Sequence, residues 1–113
     1  MAITNAALVT GGQLDGPGGN DPLFANLVSF NGDGAYAAGG TPDFEAAMQA
    51  VIGSGRELIA VIGQDCGGYV PVYDKAADKL KVYEQTNVAT SPLIETVTSN
   101  LAGTVFNVLV LSK

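Results

Sequence analysis

Histidine and tryptophan are absent from this sequence of 113 residues, cysteine occurs once, and charged side chains make up 14% of the chain; an average soluble protein carries about 25%. Each shortage excludes something. Without histidine there is no imidazole general base, no serine–histidine or cysteine–histidine nucleophile, and almost no donor set for zinc. A single cysteine cannot form a disulfide within the chain. Five basic residues against eleven acidic ones, net −6, cannot line up a stripe that neutralises phosphates. Neither nucleic acid nor an anionic membrane surface is therefore an expected partner. Short apolar runs such as 58–62 and 108–111 fall far short of the ~20 residues a spanning helix needs. Residues 1–5 lack the basic start of a secretion signal, so the expected place of synthesis is the cytoplasm.

What the chain has instead is small and apolar. Hydrophobic residues reach 47% and glycines number 15, which suits one packed, loop-rich domain and is too little for two. Residues 1–23 read as a Gly/Pro-rich N-terminal arm, with a short strand at 5–10 and then five glycines and two prolines between positions 11 and 22. Such a stretch cannot hold a helix or a central strand. A single β-rich domain is expected over 24–113. It opens on a strand at 24–30, with Phe24, Val28 and Phe30 on one face and Leu27 on the other. The turn dipeptides Asn31-Gly32 and Asp33-Gly34 follow.

One helix is predicted over 42–52. Thr41 suits the N-cap, Pro42 the first helical position, and Asp43 and Glu45 the positive end of the dipole. Phe44, Ala47, Met48, Val51 and Ile52 fall on one stripe, and Gly53 and Gly55 end it. Residues 57–62 are apolar on both faces, as in a strand buried mid-sheet. Residues 69–73 and 79–83 alternate and predict a hairpin, with Val70 and Val72 inside beside Leu80 and Val82, and Tyr69, Tyr73, Lys79, Lys81 and Tyr83 outside. Pro71 cannot donate to a ladder, which implies an open edge there. A further strand is expected at 91–98 and a central one at 104–111, whose loss should be severe. The sum is a mainly β fold, a β-sandwich or irregular β-barrel of about six to eight strands with one short helix packed on it.

Chemistry-bearing residues are few. Asn31-Gly32-Asp33-Gly34 is not a calcium loop, because the twelfth position, where a bidentate glutamate belongs, is Pro42. The glycines at 32, 34, 39 and 40 lack the lysine of a phosphate loop. Cys66, beside Asp65 and with no base to activate it, reads as a small buried side chain. Carboxylates such as Asp33, Asp43, Glu45 and Asp65 are the remaining acid–base option, and a pair such as Asp33 with Asp65 would have to meet across a groove. No catalytic residue, metal ligand or cofactor is assigned. Tyr69, Tyr73 and Tyr83 suit either a contact patch or ordinary cross-strand pairing.

Three segments together carry a resemblance: Phe30-Asn31-Gly32-Asp33-Gly34 running on to Gly39-Gly40-Thr41-Pro42, Gly68-Tyr69-Val70-Pro71-Val72-Tyr73 followed by Lys79-Leu80-Lys81-Val82-Tyr83, and Val105-Phe106-Asn107-Val108-Leu109-Val110-Leu111-Ser112-Lys113. In this order they resemble small head decoration, or cement, proteins of tailed bacteriophages, over roughly residues 24–113. The resemblance implies a non-enzymatic virion protein on the capsid surface, made in the host bacterial cytoplasm. It would bind the major capsid protein and itself, as dimer or trimer, bridging neighbouring capsid subunits. The alternative is a tail, fibre or head–tail junction component; a small ligand- or carbohydrate-binding β-domain ranks below both. The residues offered for partner contact are Leu14, Asp15, Leu23, Tyr36, Tyr69, Tyr73 and Tyr83, and an arm over 11–23 could order on a neighbour during assembly.

Overall fold

The computed structural model describes residues 3–14, 23–34, 36, 39–85, 93–96 and 100–113. The strands are β1 (Thr4–Leu14), β2 (Leu23–Asn31), β3 (Thr41–Pro42), β4 (Leu58–Gly63), β5 (Tyr69–Asp74), β6 (Lys79–Gln85), β7 (Leu93–Glu95) and β8 (Val105–Ser112), with one helix, α1 (Phe44–Ile52). All eight strands belong to one antiparallel sheet in the order β1-β2-β8-β4-β5-β6-β3, with β7 also on β6. The sheet curls into a half-barrel with α1 against it. Of the two expected architectures, the irregular barrel is the one that forms.

The core sits in the concave face. Along β2 and β8 the even-numbered residues point inward: Val28 and Phe30 from one, Phe106, Val108 and Val110 from the other, all fully buried. Leu58, Leu80 and Val82 extend that layer across β4 and β6, and Phe44 and Met48 close it from the helix. Phe30 is the centre. It stacks on its cross-strand partner Phe106 at 5.3 Å and 16°, and takes Phe44 edge-on at 6.0 Å. Each such aromatic pair contributes about 0.5–1.5 kcal/mol beyond the area it buries. The predicted central strand at 104–111 is β8, between β2 and β4.

The helix starts two residues later than its sequence suggests. Thr41 and Pro42 are drawn into the sheet as β3, paired with Leu80 and Lys79. Asp43, not Thr41, is the N-cap; it lies in the left-handed region at φ 57° and makes no side-chain cap. The missing cap comes from elsewhere. Asp78, in the β5–β6 turn, accepts the Glu45 N–H at 2.8 Å and the Tyr73 hydroxyl at 3.0 Å. One carboxylate thus satisfies an orphan donor at the helix start and ties the helix to the hairpin. The Glu45 carboxylate in turn accepts the Leu58 N–H, fixing the entry to β4.

Two sequence expectations are corrected here. In the hairpin, Asp74 pairs with Lys79 across a four-residue turn, so Pro71 faces Val82 and Tyr73 faces Leu80. Odd residues of β5 therefore meet even residues of β6. Tyr69, Pro71 and Tyr73 turn inward and Val70 and Val72 outward, the reverse of the alternation expected; the number of turn residues, not the apolar pattern, decides it. Pro71 marks no sheet edge either. β5 lies between β4 and β6, and its pairing with β4 shrinks to Ile62 against Val72 beside the proline.

Within the segment expected to be an arm, residues 4–14 are sheet, while 15–22 lie outside the described residues. β1 runs through Gly11 and Gly12 to Leu14 and pairs with β2 along its length, with register shifts between Thr4 and Ala7 and between Leu8 and Thr10. Glycine is tolerated there because an edge strand needs one partner only, and at Gly11 it is required: a Cβ would run into the buried Asn26 side chain opposite. At Gly12 a Cβ meets nothing. We expect Gly11→Val to lower stability by about 1–3 kcal/mol through overpacking. Gly12→Val should leave it unchanged or slightly raised; urea denaturation of the two variants beside the parent checks the pair.

Candidate interaction surface

Burying one face of each strand against the helix leaves the odd-numbered residues of β2 and β8 on the convex side. Their registers assemble a row. Leu27 faces Leu109, Leu109 faces Ile62, Ile62 faces Val72, and Val72 faces Lys81. Ala25, Leu111 and Ala60 make a second row beside it, and Val70 stands opposite Tyr83. Ile62 is 50% exposed and Val72 44%. Ile59, which sits at a register shift of β4, and Val105 are exposed as well. Charges border this face at its β5–β6 end, where Lys81 lies 3.6 Å from Asp74, and beyond Leu111, where Lys113 lies 3.8 Å from Glu57. A patch with an apolar centre and polar margins, made by Ser29, Asn107 and those ion pairs, has the anatomy of a protein contact.

The residues offered by sequence for partner contact scatter relative to this patch. Leu14 and Leu23 are the facing pair at the turn end of β1 and β2, Leu23 half-buried. Asp15 lies outside the described residues. Tyr83 is half-buried and sits on the convex side beside Val70. Tyr69 and Tyr73 are on the concave side, packed against the core: Tyr69 lies 6.5 Å from Phe106 and Tyr73 5.5 Å from Phe44. Tyr36, 4% exposed, is a core residue and presents no ring to a partner.

Tyr36 has another task. β3 and β7 both pair with the outer side of β6, at Lys79–Leu80 and from Tyr83 onward, and Val82 falls in the gap between them. The Tyr36 hydroxyl accepts the Val82 N–H at 3.0 Å, and the Thr96 N–H donates to the Val82 carbonyl at 2.8 Å. The same hydroxyl donates to Glu95 Oε1 at 2.8 Å, which also takes the Gly39 N–H at 2.7 Å. The phenol therefore completes the sheet edge where no strand reaches. Nothing in the sequence around Tyr36 signals this, since it depends on which backbone groups β3 and β7 leave unpaired.

The other candidate groups are held by structural bonds. Cys66 is buried, and its thiol is pushed up chiefly by that burial, with the Asp65 charge adding to it. The Asp33 carbonyl accepts the Leu101 N–H, and the Asp65 carbonyl accepts from the Asn107 amide. Among the described residues no cluster of three potential metal-ligating side chains occurs, and no helix is long and apolar enough to cross a membrane. The residues that sequence reasoning passed over are Ile62, Val70 and Val72. Their signal was present in the two-faced apolar character of 57–62, but it was read as burial on both sides.

Burial raises the Tyr36 phenol from its ordinary 10.0 to about 12. The folded state therefore holds its proton more tightly than the unfolded chain. The stabilisation is complete below pH 10.0 and is lost as pH climbs through about 12. We expect the melting temperature to fall over that interval. Tyr36→Phe should lower stability at neutral pH by about 1–3 kcal/mol, because the Val82 N–H loses its acceptor in a buried place, and should flatten the alkaline fall. Thermal melts of both proteins between pH 9 and 12 test the two effects together.

Compared with protein-family models, with curated proteins and with solved structures, the chain matches none of them.

Proposed function

We propose that this chain is a non-enzymatic virion protein that decorates and cements the outer surface of a bacteriophage capsid, laying the convex face of its sheet against the major capsid protein and bridging neighbouring subunits. The observation that carries the reading is the row of Leu27, Leu109, Ile62 and Val72 across four adjacent strands, apolar and half-exposed at its β4 and β5 end. The resemblance of the segments at 30–42, 68–83 and 105–113 to phage cement proteins supports it from the side of sequence. A decoration protein needs a broad, shallow contact with no deep pocket of its own, repeated over a lattice, so that many modest contacts add. Apolar area removed from water supplies such a contact at roughly 25 cal/mol per Å². The chain's net charge of −6 keeps unassembled copies soluble and away from the genome.

The test is co-sedimentation of the purified protein with capsids prepared without it, counting bound copies per particle. We expect saturation at a number commensurate with the icosahedral lattice. Ile62→Asp, at a half-exposed position that leaves the core untouched, should weaken occupancy about tenfold or more, since the contact then has to desolvate a charge. Full occupancy by this variant would remove the convex face from the reading. A handful of copies, or none, would favour a tail, fibre or head–tail junction role.

A further inference from the structure

A sheet that does not close has two edges, and here they are treated differently. The outer side of β6 is sealed by β3, by β7 and, between them, by the Tyr36 hydroxyl and the Thr96 N–H. β1 has β2 on one side, and among the described residues no strand on the other. Ile3 and Ala6 pack against the core, but residues 7–12 are all exposed, Leu8 by 48% and Val9 by 58%. Six exposed residues in succession leave this stretch of the strand uncovered, with Gly11 lying against the Asn26 side chain on the inner face.

Natural edge strands are guarded by lysine, by proline, by inward charge, by bulges or by shortness. β1 is eleven residues long, carries no charged residue and no proline, and has bulges as its one guard. Its register shifts are confined to the stretch before Thr10, and from Thr10 to Leu14 it runs in unbroken register with β2. The outer margin there presents a regular ladder of backbone donors and acceptors, with Leu8 and Val9 next to it as apolar side chains.

We propose that the free edge of β1 is a self-association site, where β1 of a second copy pairs antiparallel about a two-fold axis, joining the two half-barrels into one continuous sheet. Charge permits a second copy as the occupant at this strand and nowhere else as readily. Each chain carries −6, so two copies repel over most of their surfaces, and β1 is an eleven-residue stretch where like charges do not meet. Symmetry argues the same way. An antiparallel pair of identical strands is self-complementary and closes at two. The head-to-tail alternative, β1 on the β6 edge of the next copy, is blocked by β3, β7 and Tyr36. The inference does not depend on the capsid reading, because it concerns purified protein alone.

Sedimentation equilibrium of the full chain, from micromolar to several hundred micromolar, decides it. The expected result is a reversible species of twice the 11.5 kDa chain mass, with amides of β1 gaining hydrogen-exchange protection as concentration rises. Val9→Lys and Gly12→Lys, both at exposed positions, each place two like charges across the two-fold and should raise the dissociation constant at least tenfold; melting curves confirm that they fold. Ile62→Asp, on the convex face, should leave the dimer intact. A single-chain species throughout, growth beyond two chains, or a dimer that survives both lysines and dissolves with Ile62→Asp would each overturn the proposal.

Discussion

The stacking of Phe30 on Phe106 is the contact on which the rest of the structure depends. These residues face one another across β2 and β8, so their rings fix which register the two central strands adopt. A slip by one residue would turn Val28, Phe30, Phe106, Val108 and Val110 out of the core together. The same Phe30 ring receives Phe44 edge-on, which seats the helix at one height along the sheet. Phe44 then touches Tyr73, whose hydroxyl reaches Asp78, the residue that caps the helix. One chain of contacts thus runs from the sheet centre through the helix to the β5–β6 turn.

A chain this short has one helix to cover one face, and the cost falls on the other face. Leu27, Leu109, Leu111 and Ile62 occupy strand positions where a second layer would bury them in a sandwich. No second layer is supplied by the described residues, and in the proposed role the capsid surface would bury these side chains. The scarcity of charge belongs to the same arrangement: side chains that would keep such a face permanently wet are missing from β2, β4 and β8 on that side. Composition, topology and the proposed role are linked through this single uncovered surface.

Much of this was legible in the residues. The alternation around Phe30 marks β2 and its inward face, the β-branched run at 104–111 marks β8 as a central strand, and the stripe from Phe44 to Ile52 marks the helix. What was not legible is non-local. The facing of β5 depends on the four residues between Asp74 and Lys79, and nothing in the alternation of Tyr69 through Tyr73 distinguishes tyrosines inside from valines inside. Gly11 and Gly12 read as loop because a glycine's reason for being in a strand lies in the partner, here Asn26. Thr41 and Pro42 made a good helix start locally, but β6 offered them backbone partners. The contact patch itself was missed for the same reason: its β5 end belongs to Val70 and Val72, assigned to the wrong side.

Among the described strands, β8 alone joins the two parts of the sheet. β1 pairs with β2, and β5 with β6, through short sequence separations, whereas β2 and β4 never touch except through β8 lying between them. Either strand pair joins segments close in sequence, but neither side gains the aromatic stack until Phe106 arrives from far along the chain. Folding is therefore governed by a long loop closure, with a high contact order and a correspondingly slow search. Without that strand β2 and β4 each lose the partner on their inner margin, and the hydrogen-bonded ladder between the two halves of the sheet is gone.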